Sequence, residues 1–368
     1  MPYKIAITVT NDLNQDQRMH RICNSLLSAG YQVILIGREK KSSQELLHQK
    51  FNQKRLDCYF ESGVLFYLEF NVRLFFFLLF ESYDILYSVD LDTLSSVSLV
   101  SILKRRKLIY DAHEYFVEVP ELEGAKLKKW LWSIVGKIFI PSSDLNITVN
   151  KELSEIFSAK YRQHFEVIRS LPWLVENYSG QKREDEKIIL YQGVLNKGRG
   201  LAEAITWTSN TKQNVKLLIV GEGDLSTELR KLKSQVDKEN RVHFLGWKSP
   251  KELDEITKTA WLGLNLLDGS SLNYKYSLAN KFFSYMHAGI PSLNMDFPVY
   301  WRYCSEFNVG LCLPDLKEES IEKAVSTLIH DPIRHQKMVL STKIAVHENC
   351  WQHEEIKLLG LIEEMMTR

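Results

Sequence analysis

The sequence predicts an α/β protein made of two doubly wound parallel sheets. Short apolar, β-branched runs of strand length alternate with longer segments of helical periodicity along most of the chain. The alternation starts twice, at residues 3–10 and again at residues 188–191. The chain has 368 residues, 45% of them hydrophobic and 25% charged, so it is long enough and apolar enough for two folded domains. Strand–helix–strand repeats are typical of parallel sheets with helices on both faces.

The first half opens as a βαβ unit. Residues 3–10 (YKIAITVT) form a strand run, residues 18–29 have an apolar helical face, and residues 33–36 form a second strand. The loop after the first strand holds no glycine, so no G-x-G-x-x-G dinucleotide fingerprint is present there. The other elements predicted for this half are a long surface connection at 39–57, strands at 64–70, 84–89, 107–110, 144–149 and 165–168, and helices at 73–80, 126–140 and 151–159.

The second half restarts the same alternation after a change of composition. A polar, charged stretch follows Pro172, and we place the domain boundary in it, near 178–186. This boundary divides the chain into domains at 1–178 and 179–350. The elements predicted for the second half are strands at 188–191, 215–220, 242–245 and 261–267, a polar loop at 268–276, and helices from 201 onward and at 225–238, 250–259, 282–288, 318–330, 333–345 and 351–366.

Composition and charge argue against several classes of protein. The formal net charge is +1, which does not suit a bulk nucleic-acid binder. The five cysteines are scattered and form no C-x-x-C pair, which is typical of reduced thiols in a cytoplasmic protein. The ten histidines show no metal-ligand spacing, and the N-terminus carries no basic-then-apolar signal segment. We therefore expect a cytoplasmic protein without a metal site.

Two apolar segments of the first half each admit two interpretations. Residues 73–80 (RLFFFLLF) are too short to span a bilayer, so they form either a buried helix or a helix resting on a membrane surface. Residues 126–140 combine lysines with tryptophans and aliphatic residues in a basic amphipathic pattern. That segment either faces the core or contacts a membrane surface or lipid acceptor. The membrane interpretation predicts weak binding to anionic vesicles, with the protein peripheral on the inner face of the membrane.

The stretch at 187–205 (KIILYQGVLNKGRGLAEAI) is a candidate anion site. A strand, a glycine-rich turn and a helix start point free backbone N–H groups at an anion. The stretch misses the Walker A pattern, because no hydroxyl is placed to hold Mg²⁺. An ordinary strand–helix turn with a solvated cation is the alternative for this stretch by itself. The turn's glycines and cations are Gly193, Lys197, Gly198, Arg199 and Gly200.

Two further segments carry candidate site residues. Asp111, His113 and Glu114 cluster at the carboxyl end of a predicted parallel strand, where open α/β sheets bind their ligands. The alternative is a loop whose polar groups merely cap the following segment. Lys281 lies near the start of the helix predicted at 282–288 and provides a second cation for an anion.

Together these segments resemble the retaining glycosyltransferases of the large group 1 family, often called family 4, which have the GT-B fold. The resemblance covers nearly the whole chain and implies two Rossmann-like domains facing a central cleft. An acceptor domain at 1–178 is completed by a closing helix at 351–368, and a donor domain occupies 179–350. The segments that carry the resemblance are TNDLNQDQRMHRICNSLLSAGYQVILI, YDAHEYFVEVPEL, YQGVLNKGRGL, LLIVGEGD with VHFLGW, SLANKFFSYMHAGIP and WQHEEIKLLGLIEEM.

The resemblance implies a transferase that moves a sugar from a nucleotide-diphosphate sugar to a glycan or lipid-linked acceptor. It further implies retention of the anomeric configuration, no required metal and no cofactor, and a role in cell-surface polysaccharide biosynthesis. Arg199 and Lys281 match the family's cations that face the diphosphate, and Gly193 matches the glycine beside them. Asn280 and Lys281 match the asparagine–lysine pair of the donor segment.

The same resemblance assigns roles in the first domain. His113 matches the histidine that contacts the donor sugar, so we expect it to orient the sugar rather than attack it. Asp111 and Glu114 are the candidates for fixing the tautomer of that histidine.

Three positions depart from the family pattern. Val194 stands where the family often has arginine, and Tyr276 and Ser284 stand where an E-x7-E pattern places glutamates. The second glutamate normally holds the ribose hydroxyls of the nucleotide. Ser284 offers one hydrogen bond in its place, so donor affinity should fall about tenfold to hundredfold unless another group, Glu222 or Asp224, compensates.

Two alternative functions share this fold. One is a catalytically impaired GT-B protein that binds nucleotide sugars or carbohydrates, suggested by Tyr276 and Ser284. The other is a nucleotide-sugar epimerase, which needs several carboxylates poised over the sugar. The nucleotide base, the sugar, the acceptor and the oligomeric state have no simple signature in the sequence.

Overall fold

The computed structural model describes residues 2–14, 16–41, 43–175 and 187–368. These residues form two units: unit 1 is Met1–Ser170 with Glu354–Arg368, and unit 2 is Leu171–His353. The domain boundary expected near 178–186 lies outside the described residues.

Unit 1 is organised around a seven-stranded parallel sheet. One of its interior strands holds Ile5, Ala6 and Ile7, which are fully buried, as expected of a parallel sheet covered by helices. The strands are β1 (Lys4–Thr8), β2 (Gln32–Arg38), β3 (Asn52–Leu56), β4 (Ile85–Val89), β5 (Lys107–Ala112), β6 (Leu145–Thr148) and β7 (Glu166–Val167), in the order β3-β2-β1-β4-β5-β6-β7. The helices are α1 (Gln17–Ser28), α2 (Gly63–Phe80), α3 (Asp90–Lys104), α4 (Lys126–Phe139) and α5 (Lys151–Tyr161).

Unit 2 contains a second parallel sheet, of six strands. Its strands are β8 (Lys187–Gln192), β9 (Val215–Val220), β10 (Val242–Gly246), β11 (Leu262–Asn265), β12 (Ser292–Met295) and β13 (Gly310–Leu313), in the order β10-β9-β8-β11-β12-β13. Its helices are α6 (Leu201–Asn210), α7 (Ser226–Val236), α8 (Pro250–Thr259), α9 (Leu272–Tyr276), α10 (Asn280–His287), α11 (Pro298–Phe307), α12 (Glu318–His330) and α13 (Pro332–Glu348). The last helix of the chain is α14 (Trp351–Thr367).

The predicted α/β class with two doubly wound parallel sheets is confirmed. Strand β8, which opens the second alternation, lies at the centre of its sheet between β9 and β11. Its Ile189, Leu190 and Tyr191 are buried. The glycine turn that follows β8 therefore leaves the sheet at its centre, where the strand order reverses direction and ligands bind in open α/β sheets.

The strand predicted at 64–70 is wrong. These residues and the run at 73–80 form one helix, α2, of 18 residues. Within the described part of the chain, α2 is the helix that is long and apolar enough, by length and composition, to cross a membrane. The expectation that the run at 73–80 is too short to span a bilayer is therefore corrected, because that run is only part of α2. The apolar run concealed the helical period, because both faces of α2 are apolar. Its buried residues are Phe66, Phe70, Leu74 and Leu78.

Three smaller corrections concern one polar connection, one polar loop and the end of one strand. The connection predicted at 39–57 contains the edge strand β3, which pairs in parallel with β2. Its polar sequence, NQKRL, gave no strand signal because one edge of such a strand faces solvent. The polar loop predicted at 268–276 contains the short helix α9, which the Ser271 hydroxyl caps. The strand predicted at 107–110 continues to Ala112, so Asp111 lies inside β5 and is fully buried.

Candidate functional site

The turn after β8 has a backbone that glycine permits and other residues disfavour. Gly193 has a φ of +130°, and Gly200, the N-cap of α6, has a φ of +62°. A Cβ at Gly200 would lie 2.6 Å from the Cβ of Leu266, so this position also lacks room for a side chain. Because Gly200 offers no capping side chain, the first N–H groups of α6 remain available to an anion.

Lys281 is a buried cation in the first turn of α10. Its side chain is 9% exposed, and its Nζ lies 3.8 Å from the centroid of the Tyr191 ring. A Cβ at Gly193 would lie 3.6 Å from the same Nζ, so the ammonium group faces the glycine turn. Within the described residues, this ammonium group has no hydrogen bond and no carboxylate partner. Burial, with a smaller contribution from the nearby charge of Arg199, lowers the pKa of Lys281 well below its usual value.

Arg199 brings a second positive charge to the same turn. Its guanidinium lies 4.9 Å from the centroid of the Tyr274 ring. Its Nε is buried and has no hydrogen-bond partner among the residues that the structure describes. Tyr274 is itself held by its hydroxyl, which donates to the Lys197 carbonyl at 3.0 Å. In the described part of the chain, neither Arg199 nor Lys281 forms an ion pair with a carboxylate. Two such cations beside an uncapped helix start are the arrangement that favours binding of a diphosphate.

The other residues predicted for this site lie in the same unit but differ in their surroundings. Asn280 is exposed at the start of α10, and the Ser284 hydroxyl donates to the Asn280 carbonyl at 3.1 Å. Tyr276 is half-buried at the end of α9. Glu222 is exposed and paired with Arg230, whose hydrogen bonds lower the pKa of that carboxyl. Its charge is therefore already engaged in the described structure.

In unit 1, Asp111 is the centre of a buried charge network. Arg18 Nη2 donates to both carboxylate oxygens of Asp111, at 3.1 and 3.0 Å, and the Tyr87 hydroxyl donates to Oδ2 at 2.7 Å. Arg18 is 5% exposed and Asp111 is fully buried. Burial alone would raise the pKa of Asp111, but the charges of Arg18 and His113 outweigh it and hold that pKa well below its usual range.

His113 is held against this network by its ring and its backbone. Its Nε2 lies 3.1 Å from Asp111 Oδ2 and 3.0 Å from Arg18 Nε. One ring nitrogen serves only one of these partners at a time, because it either donates to the carboxylate or accepts from the guanidinium. Burial lowers and the Asp111 carboxylate raises the pKa of His113, and the net effect is a rise. The His113 backbone N–H donates to Asp90 Oδ1 at 2.9 Å.

Two carboxyl groups follow the neighbouring strand β4. Asp90 has a φ of +54° at the start of α3, and Asp92 lies in the first turn of that helix, where the Thr10 hydroxyl donates to it. Burial raises the pKa of Asp92 to about 7 and that of Asp90 well above its ordinary value. The negative charge of half-buried Glu114 raises both pKa values further.

The sequence prediction missed Arg18, Tyr87 and the role of Asp90. A signal for Arg18 did exist, because it lies four residues before Ile22 and so places a charge on the apolar face of α1. Tyr87 gave no signal, since a tyrosine within an apolar strand is ordinary. The predicted association of Asp111 with His113 is consistent with their 3.1 Å contact. The charge of Glu114 acts on Asp90 and Asp92, and its effect on the His113 tautomer stays a prediction.

Asp92→Asn is expected to reduce the pH dependence of stability. The pKa of Asp92 is raised from 3.8 to about 7, so between these values the folded state keeps a proton that the unfolded state has released. The free energy of unfolding therefore falls as the pH rises through this window, by at most about 1.4 kcal/mol per pH unit for one group. Urea denaturation of both proteins across the window measures the difference. Asp254→Asn, on an exposed ion pair, is the control, and parallel curves for wild type and Asp92→Asn would contradict this assignment.

Comparison with known proteins identifies the class of fold. The structure resembles sucrose-phosphate synthase from Thermosynechococcus elongatus, with a TM-score of 0.78, 16% identity and 99% of each chain covered. It also resembles Anabaena Alr3699/HepE in complex with UDP and glucose, with a TM-score of 0.76, 14% identity, and 98% and 99% of the two chains covered. WaaG, a glycosyltransferase involved in lipopolysaccharide biosynthesis, matches with a TM-score of 0.72, 12% identity, and 96% and 98% covered. At these identities the matches establish that the chain has the GT-B fold.

A family comparison identifies part of the chain more closely. Residues 176–343, somewhat less than half of the chain, match the family described as glycosyl transferases group 1. The match includes Gly193 and Arg199 of the turn after β8 and Lys281 of α10. No significant match to the chain was found among curated protein sequences.

Proposed function

We propose that the protein is a glycosyltransferase that moves a sugar from a nucleotide-diphosphate sugar to a glycan or lipid-linked acceptor. The observation that carries this proposal is Lys281, a buried ammonium group beside Arg199 that lacks a counter-charge in the described structure. The group 1 match over residues 176–343 and the GT-B fold support it. We further propose retention of the anomeric configuration, independence of metal, and a role in cell-surface polysaccharide biosynthesis, as the resemblance of the sequence implies.

The chemistry of transfer explains why this site needs positive charge. The bond between the anomeric carbon and the diphosphate oxygen breaks, and a bond from the anomeric carbon to an acceptor oxygen forms. The acceptor hydroxyl releases its proton, and the leaving diphosphate gains negative charge. Lys281, Arg199 and the start of α6 stabilise that charge, and in this proposal they act in place of a metal ion. Among the described residues, no cluster of three or more His, Cys, Asp or Glu suited to a metal ion was found.

We assign His113 to the orientation of the donor sugar. Asp111 accepts from the ring when Nε2 carries a proton, which leaves Nδ1 to interact with a sugar hydroxyl. Arg18 and Tyr87 fix the Asp111 carboxylate, so they act on His113 indirectly. These roles predict that His113→Ala lowers kcat while leaving nucleotide binding nearly unchanged.

Uridine is the first base to test. The HepE structures contain UDP, UDP with glucose, or UDP-glucose. Transfer of this preference to the present chain is part of the proposal, since the identity of that neighbour is only 14%.

A nucleotide diphosphate is expected to raise the melting temperature without Mg²⁺. A ligand at a hundred times its Kd stabilises the folded protein by about 2.7 kcal/mol. A thermal-shift screen compares UDP, GDP, ADP and CMP, each with Mg²⁺ and with EDTA. Arg199→Ala should reduce the shift, since a charge-assisted hydrogen bond to phosphate is worth roughly 1.5–3 kcal/mol. Arg334→Ala, which removes an exposed arginine of α13, separates loss of a turn cation from loss of any surface arginine.

Two results of this screen would contradict the proposal. One is the absence of a shift with every nucleotide at millimolar concentration. The other is a shift that depends entirely on Mg²⁺, which would reject the metal-free diphosphate site.

A second candidate function is a GT-B protein that binds nucleotide sugars or carbohydrates without transferring them. Tyr276 and Ser284 favour it, because the Ser284 hydroxyl donates to the carbonyl of Asn280 within its own helix. A nucleotide shift together with no product from any nucleotide sugar would favour this function. Sugar transfer to any acceptor, detected by mass spectrometry of the products, would exclude it.

A further inference from the structure

Helix α2 is apolar on two opposite faces. One face, formed by the buried stripe from Phe66 to Leu78, packs into unit 1. A second stripe is offset from the first by two residues, or about 200° around the helix, and is exposed, with Phe80 at 81%. A surface helix of a soluble protein normally carries polar residues on that outer face. The exposed stripe consists of Leu68, Val72, Phe76 and Phe80.

The apolar surface continues onto the two neighbouring helices. Right-handed crossovers place α2, α3 and α4 on the same face of the sheet, because each enters a strand lying further toward the β7 edge. Trp132 of α4 packs edge-on against Tyr67 of α2, with ring centroids 5.1 Å apart. The large hydrophobic residues exposed on α3 and α4 are Leu99, Ile102, Leu103, Leu127, Trp130, Leu131 and Ile138.

Hydrogen bonds join α2 to α3 at the middle and at the end of α2. The Asn71 side-chain amide donates to the Asp92 carbonyl at 2.7 Å and accepts from the Ser95 hydroxyl at 2.9 Å. At the end of α2, Lys104 Nζ donates to the Leu79 carbonyl at 2.9 Å. Insertion of α2 across a bilayer would break these contacts and remove four buried side chains from the core. The structure therefore favours a helix that lies on a membrane surface.

Positive charge accompanies the apolar residues on α4. Lys126, Lys128 and Lys137 are exposed beside its apolar stripe, whereas Lys129 is paired with Glu118 at 2.8 Å. The one acidic residue of α2, Glu69, pairs with Arg73 and accepts two backbone N–H groups, so its charge is engaged. Exposed apolar side chains with adjacent lysines complement a membrane surface, whose acyl chains are apolar and whose headgroups are negatively charged.

We propose that unit 1 docks on an anionic lipid bilayer through the outer surfaces of α2, α3 and α4, with the exposed stripes inserted at the level of the headgroups. This docking places the protein peripherally on the membrane. The docking proposal is independent of the proposed transferase activity, because it rests on the exposed residues of α2, α3 and α4 and not on the diphosphate site of unit 2.

Flotation of the full chain with vesicles tests the docking. The protein should float with vesicles of phosphatidylglycerol and phosphatidylcholine, float much less with phosphatidylcholine alone, and dissociate in part at high salt. Replacing Leu68, Val72 and Phe76 by serine should lower the partition coefficient at least tenfold, since each apolar side chain loses its burial in lipid. The control changes Ile333, Leu340 and Ile344, which are exposed on α13 of unit 2, to serine and should leave binding unchanged.

The electrostatic contribution is measured separately. Replacing Lys126, Lys128 and Lys137 by glutamine should lower binding to the anionic vesicles about fivefold per lysine and leave binding to neutral vesicles unchanged. The control replaces three exposed lysines of unit 2, Lys231, Lys238 and Lys251. Melting temperatures of all variants report whether folding is preserved.

Three outcomes would overturn the docking proposal. The first is equal recovery in the soluble fraction with and without vesicles. The second is vesicle binding that the α2 and α4 variants leave intact. The third is sedimentation showing a dimer that the serine variants dissociate, together with no vesicle binding, which would identify a second copy of the chain as the occupant.

Discussion

Lys281→Met is expected to lower kcat/KM by about 10²–10³-fold and to raise the free energy of unfolding at the same time. Activity falls because the leaving diphosphate loses a preorganised cation. Stability rises because a buried ammonium group without a counter-charge is unfavourable in the free protein, and methionine fills similar space without a charge. A residue with a purely structural role would not show these opposite effects. Steady-state transfer rates and urea denaturation of the same preparations measure both.

The pH dependence of stability provides an independent test of the same residue. The pKa of Lys281 in the folded protein lies well below its ordinary value of 10.5. Between these two values the unfolded chain binds a proton that the folded chain lacks, so the free energy of unfolding rises with pH. Below the folded pKa the full penalty of the buried charge remains. Lys281→Met should remove this rise, whereas Lys275→Met, at an exposed position on α9, should retain it.

Ligand binding should reverse the effect of burial. A bound diphosphate provides the missing counter-charge, so nucleotide binding favours the ammonium form of Lys281 and takes up a proton above the pKa of the free protein. Calorimetry in buffers with different ionisation enthalpies detects this proton. Unchanged activity in Lys281→Met, or a loss of stability without a loss of binding, would show that the diphosphate site is wrongly assigned.

Arg18→Met is expected to lower the free energy of unfolding by about 3–5 kcal/mol, because it leaves the Asp111 carboxylate buried without its main partner. Lys151→Met, which removes an exposed pair with Glu155, should change it by less than about 1 kcal/mol. The double variant Arg18→Met/Asp111→Asn should be less destabilised than the sum of its single variants, since no charge is then left unpaired. Chemical denaturation of the four proteins completes this cycle.

The same four proteins show whether Arg18 positions the His113 ring or only stabilises the fold. If Arg18 positions His113 through Asp111, the double variant should recover stability while kcat stays low and its pH profile shifts, because the ring loses its carboxylate. Full recovery of kcat together with stability would reject the positioning role of Arg18 and leave a structural role alone.

Local patterns in the sequence were sufficient for the fold class and for part of the site. Alternating strand and helix periods predicted two parallel sheets, and the spacing of glycines in 187–205 predicted the turn after β8. Both signals are local, since a period or a turn depends on residues close together in the chain. Where the local signal was weak the prediction was wrong, as in polar β3 and in α2, whose two apolar faces conceal the helical period.

Only the tertiary structure decided which charges are paired and which are not. Arg18 and Asp111 are 93 residues apart. They meet because Arg18 lies in the first turn of α1, which follows β1, and Asp111 lies near the end of β5, a strand of the same sheet. Lys281 and Arg199 lie on separate segments of unit 2, and folding buries the lysine, to which no carboxylate of the described residues pairs. The sequence by itself determined the elements and the residue types available for chemistry. Burial and long-range contact determined their charge states, because both depend on how the crossovers bring distant segments together.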